Sequence, residues 1–168
     1  MSVAATQHVR PSVTGSDEVT LVASFLLAAA GLAHLSVAPA HFSEWWVFGL
    51  LFLVAAAAQI GFAVALLVRP SRALVVGAVA VSLGLILTWV VSRTGGLPFG
   101  PDAGAAEEIG LLNVITTLDE ALLVALICLA HADPARGRLR RLLVGCEASG
   151  IALSVVLTLA FAGGVGHG

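Results

Sequence analysis

The stretch WWVFGLLFLVAAAAQIGFAVALLV, Trp45–Val68, followed at once by Arg69-Pro70-Ser71-Arg72, decides the architecture. It carries no charged side chain, and it matches the roughly 20 apolar residues a helix needs to cross a bilayer core. A backbone in hydrocarbon must satisfy its own N–H and C=O groups, so such a stretch is a helix. The arginines and the proline that follow mark its end. Gln59 is the one amide side chain inside it.

Four further stretches read the same way: Val19–Val37, Ala73–Val91, Leu111–Ala130 and Leu142–Gly163. The expectation is an all-α integral membrane bundle of five transmembrane helices, residues 19–163. Residues 1–18 read as a disordered polar tail, and residues 164–168, with His167, as a flexible one. Composition agrees: the 168 residues are 59% hydrophobic and 11% charged, with a mean hydropathy of +1.04. Soluble domains carry about 25% charged residues. A net charge of −2 and the lack of a basic aromatic stretch exclude a nucleic-acid binder. Cys128 and Cys146 form no CxxC, so neither a disulfide framework nor a zinc knuckle is implied. Small residues four apart, Ala57/Gly61, Ala80/Gly84 and Gly145/Ser149, are the expected sites of close helix packing.

Orientation follows from the arginines. Arg69 and Arg72 lie between the second and third spans, Arg136, Arg138, Arg140 and Arg141 between the fourth and fifth, and Arg10 before the first. With a cytoplasmic amino terminus, seven of the eight basic residues fall inside and only Arg93 outside. Trp45, Trp46 and Trp89 then fall near the outer interface, where amphipathic rings settle. The expected location is the cytoplasmic (inner) membrane of a bacterium. Every basic residue is Arg, and Ala, Val, Leu and Gly abound, which suggests a GC-rich genome. In an alternative reading Arg10, the first apolar run and Ala38-Pro39-Ala40 form a cleavable signal peptide, leaving four spans.

This topology gathers polar residues at the outer face. His34 ends the first span, His41 sits in a short loop, and Glu44 opens the second span. Asp102, Glu107 and Glu108 lie in the longer loop after the third span. Asp119 and Glu120 lie within the fourth, roughly 12–14 Å below Leu111 at 1.5 Å per residue. Asn113, Thr116, Thr117 and Glu120 share one helix face, a polar stripe that ends where Leu122, Leu123 and Val124 begin.

Ionisable groups at mid-membrane cost roughly 2.5–3.5 kcal/mol each on insertion scales. Three readings follow. In the first, His34, His41, Glu44 and Glu120, with Asp119 as an outer-shell group, bind or pass a transition-metal ion at the outer face. Imidazole nitrogen and carboxylate oxygen suit zinc, copper(II) or iron. In the second, the polar groups cap helices and set their register: Glu120 pairs with Arg93, Gln59 joins helices, and the chain serves as an accessory subunit with a membrane partner or a second copy. In the third, Asp119 or Glu120 carries protons in a coupled transporter.

An inner group of Cys128, His131, Cys146 and Glu147 reads mainly as packing and ion pairing. His34 and His131 at opposite ends do not suit a bis-histidine haem. No nucleophile–base pair suggests an enzyme. Ser92-Arg93-Thr94-Gly95-Gly96-Leu97-Pro98-Phe99-Gly100-Pro101, rich in turn formers, reads as an ordered cap or lid over the bundle.

That loop, with Trp89-Val90-Val91 before it and His34-Leu35, His41-Phe42-Ser43-Glu44-Trp45-Trp46, Phe48-Gly49 and Gln59 upstream, resembles a group of small, functionally unassigned multi-span membrane proteins of actinobacteria and related GC-rich bacteria. The resemblance covers the first four spans. It implies a membrane bundle and a source, and no reaction.

Overall fold

The structure, a computed structural model, describes residues 15–132 of the chain. Among them are four helices and no strand: α1 (Gly15–Glu44), α2 (Trp46–Val68), α3 (Arg72–Thr94) and α4 (Leu111–Ala132). All four are long and apolar enough to cross a membrane, which is compatible with an integral membrane protein. The fifth expected span, 142–163, lies outside the described residues, as does the pair Gly145/Ser149.

Helix α1 is longer at both ends than its apolar run. It starts within the expected tail, where Asp17 and Glu18 occupy the first turn and favour the helix dipole. It also continues through Ala38-Pro39-Ala40 to Glu44, so the loop expected to hold His41 is the end of α1. Proline removes one backbone bond and crowds the preceding turn. Leu35 and Pro39 both lie on the exposed side of α1, whereas Ala38 is buried, so the disturbed turn faces away from the packed side. The break comes at Trp45, whose extended backbone (φ −162°, ψ 129°) separates the helices by one residue. Its N–H donates to the His41 carbonyl at 2.9 Å, closing α1 as α2 begins.

At the far end Pro70 stops α2, and the Ser71 hydroxyl accepts from the Leu74 N–H at 3.3 Å as the N-cap of α3. Each helix packs against its neighbour in sequence, most extensively α1 on α2, and α4 closes the ring against α1. The half of the bundle nearer Arg69 and Arg72 is held by apolar packing, and its buried Ser24 returns its hydroxyl to the Thr20 carbonyl at 2.8 Å. Ala23, Leu26, Leu27, Ala63, Leu66, Ala78, Leu123 and Ile127 form one buried cluster there. Above it Gln59 and Glu120 form a buried polar layer, at 0% and 3% exposure.

Among the described residues the pairs Ala57/Gly61 and Ala80/Gly84 do not lie at helix contacts. Ala57, Gly61, Ala80 and Gly84 are all exposed, and a Cβ on Gly61 or Gly84 would meet no other atom within 4 Å. The reason is angular. Ala57 and Gly61 each stand two residues, about 200°, from buried Gln59, and Ala80 and Gly84 stand likewise about buried Ser82. The polar residue marks the inward face and turns the small pair outward. Close approach occurs at Gly31 instead, where a Cβ would lie 2.7 Å from Ile60 Cγ1 and 3.1 Å from the Ala56 carbonyl oxygen.

Gly31→Val is therefore expected to lower stability by about 1–3 kcal/mol through overpacking, whereas Gly61→Val leaves it nearly unchanged. Unfolding midpoints of the two variants in mixed detergent micelles check this; equal midpoints would contradict the packing.

Candidate functional site

Glu120 sits in α4 one turn above the apolar layer, and two side chains address the same oxygen. Gln59 Nε2 donates to Glu120 Oε1 at 2.7 Å, and His34 Nε2 stands 3.4 Å from that atom. Gln59 thus joins α2 to α4, the interhelical role expected of it. Arg93 does not reach Glu120. Its Nη1 donates to Glu107 and, at 2.9 Å, to the Ser92 hydroxyl. The expected Arg93–Glu120 pair is replaced because the loop carries Glu107 back over α3, where the Glu107 N–H donates to the Ser92 carbonyl at 2.9 Å.

A cavity of about 130 Å³ runs from the loop end down to Glu120. The stripe of α4 lines it as expected, with Asn113, Thr116, Thr117 and Glu120 all on its wall. Phe48, Phe52 and Trp89 supply aromatic surface, and Leu97 and Glu107 bring the loop to its edge. The loop is ordered by its own hydrogen bonds, Gly104 N–H to Leu97 at 2.9 Å and Ala105 N–H to Asp102 at 3.0 Å. Gly96 is required in it: at φ +71° a Cβ would stand 2.5 Å from the Ala105 carbonyl oxygen.

The five expected metal ligands are not brought to one point. His34 and Glu120 meet at the cavity floor. His41 Nδ1 and Glu44 Oε2 form a separate pair at 2.8 Å, one turn of helix apart, at the exposed end of α1. Phe52 stands between the two histidines, stacked on His41 with ring centroids 3.9 Å apart and edge-on to His34 at 5.5 Å. Asp119 is buried at 2% exposure but does not line the cavity, because consecutive residues point about 100° apart. Among the described residues no three His, Cys, Asp or Glu side chains are grouped so as to hold an ion. A second hollow of about 290 Å³ lies between the end of α1 and the start of α4, with His41 and Glu44 on its wall.

Asp102 and Glu108 lie exposed in the loop. Of the inner group, Cys128 is an exposed free thiol on α4 and His131 falls in the last turn of that helix, whereas Cys146 and Glu147 lie outside the described residues. Sequence reading did not single out Phe52, Phe48 or Ser92 as cavity-lining residues. The signal for the phenylalanines was their spacing, since Phe48 and Phe52 share one face of α2 at i, i+4.

Compared with known proteins, the chain matches no family model, no curated protein and no solved structure.

A double-mutant cycle on Gln59→Ala and Glu120→Ala is expected to give a coupling of about 1 kcal/mol, near the upper range for interhelical hydrogen bonds in membranes. A cycle on Gln59→Ala and Glu107→Ala serves as the uncoupled control. Equal couplings in the two cycles would remove the special place given to the Gln59–Glu120 bond.

Proposed function

We propose that the chain is a multi-span protein of a bacterial cytoplasmic membrane that binds a small solute in an outward-facing cavity, with Glu120 as the anchoring group. The observation that carries this reading is a carboxyl side chain, 3% exposed, on the wall of a cavity whose other surfaces are largely aromatic and aliphatic. Ligand sites have this make-up: apolar walls and a few convergent polar groups that fix orientation. An ionisable residue within a span is costly enough that function is its default explanation. Arg69 and Arg72 at the opposite end of the bundle support the outward orientation.

One distance favours a metal ion as a second reading. Two ligand atoms about 2.1 Å from a tetrahedral ion stand about 3.4 Å from each other, and His34 Nε2 and Glu120 Oε1 are 3.4 Å apart. Such an ion would take two protein ligands and complete its shell from water or solute. Zinc, copper(II) or iron would suit that donor pair.

Thr117→Cys, in a background with Cys128→Ser and Cys146→Ser, tests the cavity and its direction. A membrane-impermeant methanethiosulfonate is expected to label it in right-side-out but not in inverted vesicles, and Ala63→Cys, in the apolar layer, is expected to stay unlabelled. Labelling from the inverted side, or none, would sink the outward cavity. Elemental analysis of the purified protein beside His34→Ala decides the second reading: a stoichiometric metal lost in the variant supports it, and no metal after reconstitution removes it.

A further inference from the structure

We infer that the solute is a small organic cation: an ammonium group on an apolar body of roughly benzene size. This rests on the cavity reading above and names its ligand class. Four hydroxyls line the cavity, and each donates its hydrogen to a carbonyl of its own helix. Thr116 donates to Leu112 at 2.9 Å, Thr117 to Asn113 at 2.8 Å, Thr88 to Gly84 at 2.8 Å and Ser92 to Trp89 at 2.9 Å. A hydroxyl that has given up its hydrogen offers a ligand only lone pairs. Ser92 already accepts from Arg93, so the three threonine hydroxyls and the Glu120 carboxyl present acceptors along the wall.

The donors sit elsewhere or are engaged. The Arg93 guanidinium is held by Glu107 and Ser92, so this cation and its carboxylate face each other at the loop edge. Gln59 and His34 address Glu120 itself, and His41, also on the wall, is paired with Glu44. The Trp89 indole N–H and the Arg93 Nε–H, which have no acceptor among the described residues, and the Asn113 amide remain on the wall. They suit an acceptor on the body of the ligand, and the one charged group among them, Arg93, is already balanced by Glu107.

Aromatic surface completes the fit. Phe48, Phe52 and Trp89 line the same cavity, and ring faces attract cations, most strongly when water is excluded. Arg93 already shows the preference, with its guanidinium carbon 6.0 Å from the Trp89 ring centroid. The volume sets the size. An apolar protein cavity of about 150 Å³ takes up benzene, and this one is about 130 Å³.

The test compares benzylammonium, benzyl alcohol and benzoate, which share a body and differ in charge. Binding is measured by titration calorimetry on the full chain in nanodiscs of zwitterionic lipid, with empty nanodiscs subtracted. Benzylammonium is expected to bind about tenfold or more tightly than either of the others, and Glu120→Gln is expected to abolish that preference. The wild-type ligand series stands even if the variant fails to fold. Benzyl alcohol or benzoate binding as tightly as benzylammonium would overturn the cation class while leaving the cavity reading intact. No binding of any of the three, with Thr117→Cys labelled from outside, also overturns the class alone; no binding and no labelling overturns both.

Discussion

A carboxyl group in the middle of an apolar helix cannot be left facing lipid, and that constraint organises the described bundle. Glu120 takes its hydrogen bond from Gln59 on α2 and meets His34 on α1. Three helices are thereby rotated about their axes until those residues converge. Apolar packing alone would not choose these faces, since lipid tails are as apolar as leucine. Once they are chosen, Ala56, Ala63 and Leu66 turn inward with Gln59, and Leu123 and Ile127 turn inward with Glu120.

The same logic explains what could be read from the chain. Four spans were legible because length and hydropathy report directly on the bilayer. The α4 stripe was legible because its polar residues recur at helical spacing. The packing faces were misread because glycine and alanine are common throughout this chain, so their spacing carried little information. Gln59 and Ser82 carried more, since a buried polar side chain is rare and must face protein.

The site was half legible for a different reason. His34 and Glu120 each lie on a span whose depth could be counted, and they do meet. The first span was expected to end at Val37, with His41 in a loop and Glu44 opening the second span. The helix runs on through Pro39, carrying the pair to the exposed tip of α1 as i, i+3 neighbours. Phe52 then fills the space between the histidines. A ring stacked on one imidazole and edge-on to the other is a tertiary outcome, not visible in the spacing of either histidine.

The loop between α3 and α4 determines which partner Arg93 takes. Arg93 is the one arginine expected on this side of the membrane, and it stands on the cavity wall with Glu120. Were it to pair with Glu120, its side chain would cross the cavity. Glu107 intercepts it. That carboxylate is placed by its own backbone, whose N–H donates to the Ser92 carbonyl. The placement depends in turn on Gly96, where the chain bends at φ +71° against Ala105. A turn that only glycine accommodates thus holds the arginine at the edge of the cavity and leaves the deeper carboxyl to Gln59 and His34.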